Sequence, residues 1–191
     1  MPKRMLAPTI TGPRVYLRPP QRGDAEAFVA AAIASRRAHG GWTNPPATRE
    51  RFVTFVNRFT RGSASATHAS FLMLARENDA IAGVFNFSEI VRGAFQSTYL
   101  GYYGFTPWIG QGYMSEGMAL TLDVAFRQMK LHRVEVNIQP TNARSVALAE
   151  RTGFTREGYS PRYVKIAGRW RDHIRFAMLA EDWCVLRKQR A

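Results

Sequence analysis

Midway along the chain a tyrosine-rich run, Thr98 to Thr106, stops at Pro107, and a helix-forming run starts at Met114. Between them lies Trp108-Ile109-Gly110-Gln111-Gly112-Tyr113. The order predicted is a strand, a Gly-x-Gly turn and a helix. Glycines tolerate positive φ and let the backbone come close to a ligand. The unpaired N–H groups of the first helical turn, with the helix dipole, attract an anion, and phosphate is the obvious one. A tight strand–helix turn with no ligand fits the same residues. No Gly-Lys-Ser/Thr follows, so this is not a P-loop, and the G-x-G-x-x-G dinucleotide spacing is absent.

The rest of the chain alternates helix and strand. Val15 to Arg18 reads as a short strand ended by Pro19-Pro20. Asp24 opens a helix to Ser35, and Gly40 to Pro46 is a loop. Thr48 caps a helix whose Phe52, Phe55, Val56 and Phe59 follow the i, i+3, i+4, i+7 pattern. Ser70–Arg76 and Ile81–Phe87, joined by Glu77-Asn78-Asp79, predict an antiparallel hairpin, and Ser88–Gln96 a loop. Glycines 101 and 104 inside the third strand suggest a bulge or a close approach. Met114 to about Lys130 is a helix with Met118, Leu122, Ala125 and Met129 inward. A strand at Arg133–Asn137, a helix from Asn142 to Arg151 closed by Gly153, and strands at Phe154–Tyr159 and His173–Leu179 complete it.

The 191 residues suit one domain, expected over 12–184, with a mobile basic leader at 1–11 and a basic tail at 185–191. Lys and Arg number 27 against 14 Asp and Glu, a net charge of +13 that favours anionic partners such as RNA or a polyphosphate cofactor. Cys184 is the sole cysteine, so no intrachain disulfide forms. His39, His68, His132 and His173 lack metal-ligand spacing, so no metal is expected. No apolar run approaches the ~20 residues of a membrane span, and the basic start has no apolar signal-peptide core. A soluble, cytoplasmic protein is expected.

Arg133-Val134-Glu135-Val136-Asn137, then Asn142-Ala143-Arg144-Ser145, then Arg151-Thr152-Gly153-Phe154, following the glycine loop, resemble the GNAT superfamily of acetyl-CoA-dependent N-acetyltransferases. Phe85-Asn86-Phe87, Val91-Arg92-Gly93, Tyr99-Leu100-Gly101-Tyr102 and Gly168-Arg169-Trp170-Arg171-Asp172-His173 look like its RimJ/RimL branch of ribosomal-protein N-terminal acetyltransferases, nearest the RimJ type. The resemblance implies an α+β fold. It is a mixed, mostly antiparallel sheet of about seven strands with helices on both faces, splayed in the middle where acetyl-CoA enters. It implies that Phe105 and Thr106 lie along the pantetheine and that Gly110, Gln111, Gly112, Tyr113, Met114 and Ser115 bracket the pyrophosphate. Asn142 would reach a pantetheine amide, and Ser145 would sit by the thioester sulfur and protonate the leaving thiolate. Pro107 stands where the family's loop carries Gln or Arg.

Direct acetyl transfer needs a neutral amine. An α-amine has a pKa of about 7.7–8.0 against about 10.4 for lysine, so an N-terminus needs only a weak base. Glu89, Glu116 and Asp172 are the carboxylate candidates beside Ser145. Glu116 in the first helical turn reads equally as a dipole partner, and Glu89 as a solvated loop charge. Asp172 and His173 look like an orienting pair. Trp42, Tyr102 and Trp170 are candidate walls of the acceptor pocket, or ordinary packing. The acceptor expected is the N-terminal alanine of a ribosomal protein, with rRNA near the basic surface. A small amine (antibiotic, polyamine or aminoacyl nucleotide) is the alternative, and an acid-lined pocket would favour it. A non-catalytic ribosome- or RNA-binding protein on the same scaffold is the third reading.

Overall fold

The computed structural model describes residues 9–60 and 67–190. Its order is β1 (Ile10–Thr11), β2 (Val15–Arg18), a 3-10 turn (Arg22–Asp24), α1 (Ala25–Ala34), α2 (Arg36–His39), α3 (Arg49–Thr60), β3 (Ala69–Ala75), β4 (Ile81–Val91) and β5 (Ser97–Gly104). Then come α4 (Tyr113–Asp123), β6 (Arg133–Ile138), α5 (Ala143–Thr152), β7 (Thr155–Ile166), β8 (Arg169–Leu179) and α6 (Ala180–Arg190). The sheet runs β1-β2-β3-β4-β5-β6-β8-β7 and is antiparallel except for β5 against β6.

Eight strands replace the expected seven or so. The extra one, β1, pairs Ile10 with Leu17 and Thr11 with Tyr16, so the end of the expected leader joins the sheet. Residues 1–8 lie outside the described residues. At the other end α6 carries the chain through the expected tail, and Leu186 packs against the core.

Two cores sandwich the sheet. Strand residues alternate sides, so Val134, Val136 and Ile138 of β6 and Ile174, Phe176 and Met178 of β8 meet α4, α5 and α6. Phe28, Phe52, Val56 and Phe105 form the second core under α1 and α3. Thr48 caps α3 as its sequence predicts, its Oγ1 accepting the Arg51 amide at 3.3 Å.

Three boundaries differ from the sequence reading. The helix after the glycine loop turns at Val124–Gln128 into a wider π turn. This places Val124, Ala125 and Phe126 consecutively in the core, which no 3.6-residue period would do. β4 passes through the expected loop as far as Val91, because Glu89 takes a left-handed φ of 50° as a bulge and Val91 still pairs with Ser97. β7 and β8 form a long hairpin bulged between Ser160 and Val164. It turns at Ala167-Gly168, both with positive φ, 48° and 80°. Among the described residues no helix is long and apolar enough to cross a membrane.

β5 and β6 pair in parallel only from Ser97↔Arg133 to Tyr99↔Glu135. Beyond that they diverge, and Leu100–Gly104 faces Val136–Ile138 across open space.

Candidate active site

A cleft of about 1250 Å³ fills this divergence. One wall is the loop of Thr106–Gly112 and the start of α4. Gly110 (φ 85°) and Gly112 (φ 84°) both need the left-handed region, and a β-carbon on Gly110 would meet nothing within 4 Å. The loop therefore presents bare backbone to the cleft. Gly112 caps α4, its carbonyl accepting from Ser115 and Glu116. The N–H groups before these have no acceptor among the described residues, which is the arrangement that binds an anion. Arg144 and Arg151 line the same end, and Arg151 also reaches Ser115 Oγ at 3.3 Å.

Asn142 caps α5, its Oδ1 accepting the Ser145 amide at 3.3 Å. Both line the cleft. The Ser145 carbonyl accepts from Tyr102 Oη at 3.1 Å, which joins α5 to β5 across the gap. Burial raises the Tyr102 pKa well above that of an ordinary phenol. Burial raises Tyr103 too, despite the opposing effect of a hydrogen bond from Asn86. The Asn86 Oδ1 in turn accepts from Ser70 Oγ at 2.7 Å. Both phenols stay protonated near neutral pH.

His39, Trp42, Tyr163 and His173 also line the cleft. His39 donates from Nε2 to the Gly104 carbonyl at 2.9 Å, because a carbonyl only accepts. Trp42 Nε1 donates to Thr141 Oγ1 at 3.2 Å, strapping the loop after α2 to the loop before α5.

The cleft thus brings together Thr106, Gly110, Gly112, Met114, Ser115, Asn142, Ser145, Trp42, Tyr102 and His173. The other predicted positions lie off its lining. Phe105 is fully buried in the second core, and its amide goes to Ala82. The Thr106 amide is held by Ser35 Oγ at 2.9 Å, so neither amide is free for a pantetheine. Gln111 folds back, its Nε2 donating to the Pro107 carbonyl at 2.8 Å. Tyr113 is buried on Trp108, with Arg14 over its ring at 4.8 Å.

The three carboxylate candidates lie off the cleft lining. Glu116 accepts the amides of Arg14 and Val15 at 2.8 and 3.0 Å and faces the Arg14 guanidinium at 3.0 Å. It ties the β1–β2 turn to α4. Glu89 points into solvent 3.7 Å from His68. Trp170 is 60% exposed near the hairpin tip. Asp172 accepts from Tyr159 Oη and from the Arg162 amide, which lowers its pKa and braces the bulge in β7. Neighbours on one strand point to opposite faces, so Asp172 makes no hydrogen bond with His173.

His39, Asn137 and Tyr163 line the cleft without having been picked out from the sequence. Asn137 had a signal in the alternation Arg133, Glu135, Asn137, which places all three on one strand face. His39 had none, because only the tertiary fold brings the end of α2 to Gly104.

The acetyltransferase (GNAT) domain profile matches residues 14–155, most of the chain. The chain belongs to the GNAT acetyltransferase family. The ribosomal protein uS5-alanine N-acetyltransferase of Escherichia coli is 43% identical over 103 residues, 54% of this chain. That match spans only about half, 53%, of the length of the E. coli protein. A probable N-acetyltransferase of Bacillus subtilis, YjcK, is 30% identical over 182 residues, covering 91% of this chain and 98% of its own length. Among solved structures, Mycobacterium smegmatis RimJ in complex with CoA-disulfide superposes with a TM-score of 0.81 at 25% identity. It covers 88% of this chain and 83% of its own.

Proposed function

We propose that this protein transfers an acetyl group from acetyl-CoA to the N-terminal α-amine of a ribosomal protein, with alanine as the first residue. The observation that carries the choice of acceptor is the chemistry of the cleft wall. No Asp or Glu occurs among the described residues that line it. A polyamine carries several positive charges, and burying them without carboxylate partners is costly. An N-terminal amine with a pKa of about 7.7–8.0 is about a tenth neutral at pH 7 and about half neutral at pH 8, so it can enter as the free base without such partners. The uncharged groups Trp42, Asn86, Tyr99, Tyr103 and Tyr163 suit a peptide end. The likeness to the uS5-alanine enzyme points the same way.

Acetyl-CoA, when bound, supplies the acetyl group as an activated thioester. The bare loop at Gly110 and Gly112, Ser115, and the cationic Arg144 and Arg151 fit its phosphates. Ser145, a cleft hydroxyl on the first turn of α5, would protonate the leaving sulfur. The exposed cations of the β7–β8 hairpin, Arg162, Lys165, Arg169 and Arg171, lie beside the Tyr163 and Val164 wall and suit a target embedded in rRNA.

The test is intact-mass analysis of purified small-subunit ribosomal proteins after incubation with the protein and acetyl-CoA. One added acetyl group, mapped to an N-terminal alanine, is the expected result. Acetylation of spermidine but not of these proteins would move the function to small amines.

A further inference from the structure

β6 offers its two faces unequally. Val134, Val136 and Ile138 enter the core, and Arg133, Glu135 and Asn137 share the other face. Arg133 and Glu135 satisfy each other at 2.8 Å. Asn137 Oδ1 does not: it is buried and has no hydrogen-bond partner among the described residues. Buried acceptors are nearly always paired, so an orphan in a cleft marks the place of a missing donor. Asn137 lines the cleft.

β8 runs antiparallel to β6, with Asn137 opposite Arg175 and Ile138 opposite Ile174. His173, two residues from Arg175, shares its face and lies diagonal to Asn137. Such diagonal positions are about 7–8 Å apart, near enough for one nitrogen between the two side chains to donate a hydrogen bond to each. His173 is buried, lines the same cleft, and holds its Nδ1 3.0 Å from the Arg171 carbonyl. A carbonyl cannot donate, so Nδ1 carries the proton and Nε2 keeps its lone pair. Nε2 has no hydrogen-bond partner among the described residues.

Two acceptors without a carboxylate describe a receptor for N–H donors that are not strongly cationic. Arg175, opposite Asn137, lays its guanidinium over Gly158 of β7, so it brings no anion to the pair. The site therefore selects an amine able to bind as its free base. Resting on the acetyl-transfer reading above, we infer that Asn137 and His173 form the amine-binding floor and that His173 accepts the amine proton. Asn137 Oδ1 takes one N–H and His173 Nε2 the other. The amine nitrogen bonds to the acetyl carbonyl carbon, and the carbon–sulfur bond breaks. The nitrogen's proton passes to Nε2, and the sulfur leaves as a thiolate that takes up a proton. The acceptor class is a primary amine of low basicity, as a chain terminus is and a lysine side chain is not.

The test compares wild type with His173→Gln, His173→Ala and Asn137→Leu, using acetyl-CoA with small-subunit ribosomal proteins and, separately, with spermidine. Retained protection by coenzyme A against thermal unfolding selects variants with an intact fold. On whichever amine wild type accepts, His173→Gln lowers kcat about 10²-fold with the KM for acetyl-CoA unchanged. Added imidazole restores part of the turnover of His173→Ala, and Asn137→Leu raises the acceptor KM with little change in kcat. Independently of turnover, the ring-nitrogen NMR shifts of His173 in the ligand-free protein report a proton on Nδ1. A kcat of His173→Gln within twofold of wild type overturns the inference, as does a proton found on Nε2. Wild-type activity on spermidine alone removes the ribosomal acceptor, and the same variants still decide the floor. Wild type silent toward both amines overturns both.

Discussion

Replacing Glu116 separates two duties that its position on α4 allows, that of a clamp and that of a proton acceptor. Its Oε1 receives the Arg14 and Val15 amides, and Val15 is fully buried. Losing the hydrogen bond from the partly buried Val15 amide to a charged acceptor costs about 1.5–3 kcal/mol, and losing the solvent-facing Arg14 amide contact about 1 kcal/mol. The ion pair with Arg14, whose side chain is 48% exposed, adds at most about 1 kcal/mol. Glu116→Ala is therefore expected to destabilise by about 3 kcal/mol. For a chain of this size that lowers Tm by about 6–12 °C.

Glu116→Gln keeps an oxygen for both amides, but it loses the charge and turns an NH2 donor toward Arg14 Nε in place of the accepting Oε2. It should lower Tm by a few degrees and leave the kcat for acetyl transfer within a few-fold of wild type. A proton acceptor replaced by an amide would instead lose about 10²–10⁴ in kcat. Thermal unfolding and steady-state kinetics on the same preparations decide the matter. A Glu116→Gln protein with wild-type Tm and a 10²-fold loss of kcat would refute the clamp and return Glu116 to the chemistry.

Gly110→Trp puts a ring where the structure leaves open space. The strain at φ 85° costs about 1–2 kcal/mol. The stabilisation that coenzyme A gives wild type, about 2.7 kcal/mol at 100 times Kd, should vanish in the variant when read by thermal shift. Ala167→Gly relieves a non-glycine residue at φ 48° in a two-residue hairpin turn and should stabilise by up to about 1 kcal/mol in chemical denaturation. Tyr16 donates to Asp79 at 2.9 Å, and Tyr16→Phe should cost about 1 kcal/mol. Burial and that carboxylate raise the Tyr16 pKa to about 12. Its contribution is thus complete below the unfolded value near 10, and the Tm gap between wild type and variant should close as pH rises through about 12.

Local patterns made the scaffold legible. Phe52, Phe55, Val56 and Phe59 announce α3, and Gly112 and Gly153 mark the two helix ends where a left-handed residue is needed. What escaped was structure that breaks a simple period. The π turn buries three consecutive residues, and the bulges at Glu89 and Arg162 let strands continue through segments that read as loops. The site divided along the same line. Its anion-binding end is one contiguous strand–loop–helix, so sequence order alone exposes it. Its amine end is assembled from α2, β4, β5, β6 and the β7–β8 hairpin, which no local pattern joins. Residue type alone points to Glu116, Glu89 and Asp172, and the fold turns all three away from the cleft: Glu116 clamps Arg14 and Val15, Glu89 faces solvent beside His68, and Asp172 braces β7. A catalyst for a weakly basic amine does not need a strong anion beside it. Under the amine-floor proposal it needs lone-pair acceptors in the cleft wall, and the strand faces of β6 and β8 turn Asn137 and His173 toward that cleft.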